Sequence, residues 1–456
     1  MSSRLNTSRA AAWGTALFAS ALALTACSGA GGGAGDSSAD SGTITELTLA
    51  TVNNPQMVDM EQLKGEFEAD HPDIKVNFIQ MEENDLRDAV TKDIATQGGQ
   101  YDILTIGAYE VRLWQQNDWI VNLSQWADDD AEYDIDDLFP PVRTSVSVDD
   151  DLYAAPFYGE SSFLMYNRDI ISEAGITVPE RPTWQEVAAM AKQVDTDDHA
   201  GICLRGKPGW GEGIASLNTV VNTFGGSWFD MDWNAQVDQE GFRKALTFWS
   251  ETIRDSGEAD PVSYGFTECL NLFTQGKAAF WYDATSAAGS VEDPDLSEVA
   301  GNVGYVHAPV VETDESGWLW SWNLAIPKTS QKQEAAWEFI KWATGKDYAS
   351  LVGNELGWSR VPPGARLSTY DIPEYQEAAG AFADITKETM LSVNPEHPGV
   401  NPQPYVGIQF ITIPEWQDLG NSASQVFAEV YAGRKSVDDA LAEVQELAQK
   451  AGDAQK

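Results

Sequence analysis

The sequence predicts an α/β fold of two lobes. Roughly 410 residues follow a short leader and a run of small residues, which is more than one hydrophobic core usually serves. The 43% apolar content is that of a globular protein, and from Glu46 onward strand-like and helical periods alternate.

The elements follow in order. "ELTLATVNNPQ" reads as a β-rich run ending in a polar, Pro-containing loop. A helix follows over 57–71, with Met60, Leu63 and Phe67 at helical spacing. "IKVNFIQM" alternates as a strand, "DLRDAVTKDIATQ" has helical period, and "YDILTIG" is a buried strand bounded by turn residues. This succession implies a mainly parallel sheet with helices on both faces. Ligands on such sheets bind at the carboxyl ends of strands, which directs attention to Asn53, Asn54 and Gln56 after the first strand and to Tyr109 and Glu110 after the third. A second series comes after "LYAAPFYGESSFLMYN". "WQEVAAMAKQV" reads as helix, "AGICLRG" as strand, "ASLNTVVNTFGG" as helix, and "EGFRKALTFWSETIRDSG" as a long helix closed by Gly257. "CLNLFTQGKAAFWYDAT" gives a helix, a turn at Gly276 and a strand; "VGYVHAPV" and "WLWSWNLAIP" are further strands, and helices dominate the last third.

The amino terminus has Arg4 and Arg9, an apolar segment from Ala10 to about Leu24, and then small residues, the layout of a secretory signal rather than a membrane span. Its ending, Leu24-Thr25-Ala26-Cys27, resembles the lipobox of bacterial lipoproteins, which implies a leader over 1–26 and lipidation of Cys27. Gly, Ser, Ala and Asp over 27–42 bury nothing and form a flexible tether of about 20 Å reach. The folded part is thus expected outside the cytoplasmic membrane, anchored through lipid to its outer face.

Formal net charge is −43 for the whole chain, and loss of Arg4 and Arg9 with the leader makes it more negative. Long-range repulsion therefore disfavours nucleic acid as a partner. The runs Asp128-Asp129-Asp130 and Asp149-Asp150-Asp151 read as solvated faces, since they lack the Gly and Glu offsets of a calcium loop. His71, His199, His307 and His397 are scattered without metal-ligand spacing. No metal or cofactor is expected. With Cys27 committed to lipid, Cys203 and Cys269 are an even pair in an oxidising compartment, and one disulfide is expected between them.

"AAPFYGESSFLMYN" carries most of the functional argument. A glutamate in the middle of an extended apolar run needs partners or a cleft to face, which singles out Glu160. "SGWLWSWNLAIP" puts Trp318, Trp320 and Trp322 on one face of a strand, as core or as a stacking platform for the C–H faces of a sugar or polyol.

The lipobox and tether, "YAAPFYGESSFLMYN", "PTWQEV", "TFGGSWFD", "FTQGKAAFWYDAT" and "NLAIPKTSQKQEAAWEFIKWA" occur in order across nearly the whole mature chain. Together they resemble the extracellular solute-binding proteins of carbohydrate-uptake ABC transporters. "ATVNNPQM", "GICLRGKPGWGEG", "FDMDWNAQ", "WYDATSAAGS" and "LGWSRVPPG" look closest to the sorbitol/mannitol-binding members. The resemblance implies a periplasmic-binding-protein-like fold, two β/α lobes joined by crossing hinge segments, with the ligand cleft between them. The lobes are expected over 43–156 with 281–318, and over 157–280 with 319–456. Crossings are expected near Ala155 to Ser161, Phe280 to Asp283 and Trp318 to Asn323.

A polyol offers many hydroxyls, each donor and acceptor, so its cleft must supply carboxylates, amides and guanidinium groups with aromatic rings. The candidates are Asn53, Gln56, Tyr109, Glu110, Glu160 and Glu212, then Asp283 with Arg360, and the rings of Trp210, Trp281, Trp320 and Trp358. Trp337 and Trp342 lie in a helical period and read as core. The implied partners are a polyol or sugar and the transmembrane subunits of a permease, with the chain working as a monomer.

A secreted glycoside hydrolase is the rival class, because acidic pairs and tryptophans also serve such enzymes. No nucleophile elbow, zincin signature or phosphate-binding loop is present. A mono- or oligosaccharide ligand, or a sensing role, would leave the same cleft.

Overall fold

The computed structural model describes residues 44–456; the leader, the expected lipidated Cys27 and most of the tether lie outside the described residues. The chain begins with β1 (Thr45–Val52), α1 (Pro55–Asp70), β2 (Ile74–Met81), α2 (Glu83–Thr96), β3 (Ile103–Gly107) and α3 (Ala108–Gln116). Met60, Leu63 and Phe67 form the buried face of α1, as their spacing predicts. A two-residue pair, β4 (Ser147–Val148) and β5 (Asp151–Leu152), precedes β6 (Ala155–Glu160) and β7 (Ser162–Asn167). Then come β8 (Ala200–Cys203), β9 (Ala278–Ala284), β10 (Val303–His307) and β11 (Trp320–Ala325).

Two sheets organise the molecule. One has the order β2-β1-β3-β11-β6, the other β10-β7-β9-β8. β1 pairs with β2 and β3 in parallel, as successive right-handed β-α-β units require. β11 lies antiparallel to both β3 and β6, and in the second sheet only β8 and β9 are parallel. Both sheets are therefore mixed rather than mainly parallel. Strands that arrive from the other sheet carry no crossover helix to impose a parallel return.

The run "AAPFYGESSFLMYN" is two strands in two different sheets. Ala155–Glu160 closes the first sheet, Ser162–Asn167 lies within the second, and Ser161 alone joins them. Ser161 donates its backbone N–H to the Thr285 hydroxyl at 3.1 Å and accepts the Thr285 N–H at 2.8 Å. The crossing expected near Phe280 to Asp283 is displaced, because those residues are paired with β7 inside the second sheet; the contact with β6 comes just after them, at Thr285. Sheet membership also corrects the expected lobe boundaries. β9 and β10 belong with β7 and β8, whereas β11 belongs with β1 to β3. The helix Gln333–Thr344 packs on α1, β1 and β6, and Trp416–Tyr431 packs with Gly213–Thr223 and Glu240–Ser256 on the other side. Neither half is continuous in sequence. Strand order was the missing information, since periodicity identifies a strand without naming its neighbours.

Cys203 at the end of β8 and Cys269 on the helix Phe266–Thr274 form the expected disulfide. Trp337 is buried, and Trp342 packs against Phe67 and Phe339 in the same core.

Candidate functional site

β6 and β11 are register partners, and their pairing sets Trp320 directly opposite Glu160. Trp320 and Trp322, two apart on β11, share a face, and with Trp318 from the segment just before the strand they line one cavity between the sheets. The cavity volume is about 30 Å³. Glu160, Trp210, Asn54 and Gln409 complete part of the wall, together with two arginines, Arg87 and Arg205.

Arg87 projects from α2 and is held from two directions. Glu83, one turn earlier, accepts from its Nε at 3.0 Å and its Nη2 at 2.8 Å; Glu110 accepts from Nη1 at 2.7 Å. Glu110 is itself fixed by α3, accepting the Gly107 N–H at 3.0 Å as the third residue of that helix. Burial raises its pKa against the pull of Arg87 and these N–H groups. The guanidinium carbon of Arg87 lies 3.9 Å from the Trp210 ring centre, 4.9 Å from Trp322 and 5.1 Å from Trp320. The cation thereby braces three indoles.

Arg205 follows β8. It forms a fork on Asp283, with Nε at 2.9 Å and Nη2 at 2.5 Å, and its Nη1 donates to the Gly211 carbonyl at 3.1 Å. Trp281 Nε1 and the Ala284 N–H also donate to Asp283, at 3.1 and 2.7 Å. Glu212 adds a second carboxylate 3.5 Å from Arg205 and accepts the Phe266 N–H at 3.0 Å. Desolvation works against the charge on Arg205, yet Asp283 and Glu212 hold it firmly protonated. Desolvation also pushes Glu160 and Glu212 up to about 7. Glu160 receives one hydrogen bond, from the Ser286 hydroxyl at 2.5 Å.

Of the sequence candidates, Glu160, Trp210 and Trp320 line the cavity. Glu110, Glu212 and Asp283 sit just behind it as counter-ions of the two arginines. Tyr109 is behind Trp210, ring centres 5.2 Å apart, with its hydroxyl given to the Ile413 carbonyl. Gln56 donates to the Ser286 carbonyl at 2.9 Å, and Trp281 is core between Phe266 and Phe273. Asn53 turns away to Glu82, and its neighbour Asn54 takes the wall position, donating to the Tyr158 hydroxyl at 2.8 Å. Arg360 pairs with Asp59, and Trp358 lies against Gly353; neither lines the cavity. Arg87, Arg205 and Gln409 were absent from the sequence expectation. Arg87 falls between buried Leu86 and Val90 on α2, a signal that it faces inward.

Several polar atoms on lining residues are buried without a protein partner: Trp210 Nε1, Trp318 Nε1 and Gln409 Oε1. Two donors, an acceptor and a carboxylate amid indole faces suit a small polyhydroxylated molecule, whose hydroxyls both donate and accept. Among the described residues no cluster of three or more His, Cys, Asp or Glu side chains is placed to hold a metal ion.

A fold of two mixed sheets enclosing such a cavity is that of the periplasmic binding proteins, a class that captures solutes without transforming them. The chain belongs to the bacterial extracellular solute-binding protein family, whose model matches residues 54–350. It is 44% identical over 403 residues to the mannitol-binding protein of Pseudomonas aeruginosa, covering 88% of this chain and 91% of that one. The solved structure of an ABC transporter solute-binding protein from Agrobacterium vitis with bound D-mannitol has 45% identity and a TM-score of 0.88, covering 90% of this chain and 99% of that one. Another from Agrobacterium radiobacter, in complex with ribitol, has 26% identity and a TM-score of 0.79 over 90% and 99% of the two chains. The family and these relatives are binding proteins, not enzymes, and they work with ABC transporters outside the cytoplasm.

Proposed function

We propose that this chain captures a linear sugar alcohol of the hexitol type and delivers it to its permease, tethered to the outer face of the cytoplasmic membrane by lipid on Cys27 and working as a monomer. The observation that carries the ligand reading is the cavity lining: Trp320 and Trp322 on β11 and Trp318 just before it, with Trp320 opposite a carboxylate, Glu160, that has one side-chain partner. The mannitol-binding relatives support the same class. Trp318, Trp320 and Trp322 stack against the carbon chain, while Glu160, Gln409 and Asn54 meet its hydroxyls. The two sheets act as lobes that close over the ligand, pivoting about Glu160 to Ser162 and Ala284 to Ser286.

The test is thermal unfolding of the folded part with a panel of hexitols, pentitols, monosaccharides and disaccharides. A ligand at about a thousand times its Kd adds about 4 kcal/mol of stability. Stabilisation by hexitols and not by glucose or maltose is expected. A response to sugars alone would replace the ligand class while leaving the transporter family in place.

A further inference from the structure

Two arginines in a binding cavity suggest an anionic ligand, and the arrangement around them points the other way. Arg87 is occupied by Glu83 and Glu110, and Arg205 by Asp283 and Glu212. A further cation beside Glu212, Lys207, is shared among Glu82, Glu212 and Glu268. Glu160 is left over. It is 7% exposed, lines the cavity, receives only the Ser286 hydroxyl, and makes no ion pair among the described residues. Two guanidinium groups thus face five carboxylates, so negative charge is in excess, and Glu160, which pairs with neither arginine, is on the cavity wall with Glu83.

Resting on the polyol reading, we propose that the site selects its ligands by charge. It takes neutral alditols and alditols bearing a terminal ammonium, seated against Glu160, and it rejects polyol phosphates and aldonates. An ammonium replaces a terminal hydroxyl with little change in size and offers three donors, so its bond to Glu160 is charge-assisted. D-mannitol has a two-fold axis, so an amine at either end is equivalent and no stereochemical cost attaches to orienting it. An anion in the same place meets Glu160 with no free cation to offset the repulsion. The charged groups facing Glu160 are Arg205, Asp283 and Glu83, contributed by the segment after β8, by β9 and by α2.

Titration calorimetry of the mature chain near pH 8, where Glu160 is ionised and an alkyl amine still charged, compares D-mannitol, amino-deoxymannitol, mannonate and the terminal phosphate ester of mannitol. The amine is expected to bind at least about tenfold more tightly than mannonate or the phosphate. Glu160→Gln is expected to weaken all binding and to shrink the amine-to-acid ratio to a few-fold. The same narrowing is expected in the unmodified chain near pH 5.5, where protonation removes the charge, so the inference does not depend on the variant folding. Mannonate or the phosphate binding within about threefold of the amine, with mannitol bound normally, overturns charge selection and leaves the polyol reading intact. An amine-to-acid ratio unmoved by Glu160→Gln overturns the role of Glu160. Failure of mannitol itself overturns both readings.

Discussion

Asp283→Asn keeps shape and removes one charge, and the consequences can be worked out atom by atom. One carboxylate oxygen receives Arg205 Nη2 and the Ala284 N–H; the other receives Arg205 Nε and the Trp281 Nε1–H. All four neighbours are donors. In the asparagine variant one oxygen becomes an NH2 group, and in either flip it points donors at donors. Removing one partner from a buried ion pair costs about 3–5 kcal/mol. Glu212, 3.5 Å from Arg205, retains part of the counter-charge, while the misdirected amide leaves a buried group unsatisfied at about 1–3 kcal/mol. These offset, and the net loss is expected at about 3–5 kcal/mol. Urea unfolding without ligand should show a lower midpoint at an unchanged slope. Adding Arg205→Met, which removes the stranded cation, should recover half or more of the loss. A single variant within about 1 kcal/mol of the parent, or a double variant worse than the single, would refute the counter-ion argument.

Gly107→Ala places a methyl group 2.0 Å from the Trp320 ring, so the indole must leave its position; ligand affinity should fall, with about 1–3 kcal/mol of stability lost, as measured by calorimetry and denaturant unfolding. Replacing Cys203 and Cys269 with serine frees a loop of sequence separation 66, and the melting temperature should drop by the equivalent of about 4 kcal/mol, a loss reproduced by reductant in the unmodified chain. For pH, Glu160 and Glu212 stand at about 7 in the folded chain against an ordinary 4.5, so the native state keeps protons that the unfolded chain has released between those values. Stability should therefore fall as pH rises from about 4.5 to about 7, and Glu212→Gln should flatten the decline; a rise across that window would contradict the burial account.

Local periodicity made most elements legible. The helix Trp184–Val194 coincides with "WQEVAAMAKQV", and the alternation of Trp318, Trp320 and Trp322 singled out three wall residues before any contact was known. Glu160 was found because a charge in an apolar run needs a reason. What escaped was whatever depends on segments distant in sequence. Glu83 and Arg87 have the i, i+4 spacing of an ordinary surface ion pair on a helix, and only the approach of Trp210 and Trp322 turns that arginine into part of the wall. Arg205 is in a glycine-rich stretch whose course periodicity does not give. The choice of Asn53 over Asn54 is a one-residue slip, which at a strand end changes the direction of the side chain. Trp358 and Arg360 had suitable chemistry in a loop, but the fold commits them to Gly353 and Asp59.

The place of β11 in the first sheet also bears on the order in which the polypeptide can fold. β11 is the strand between β3 and β6, and β6 has no other strand beside it in that sheet. Residues 155–160 therefore wait for residues 320–325, and the first sheet cannot be completed until more than two thirds of the 456 residues have been synthesised. Pairing over so long a separation is slow, because the intervening chain must be ordered before the contact repays it. Completion of the first sheet is thus deferred until the late strand is available, and the early strands β1 to β3 have neither β11 nor β6 beside them until then.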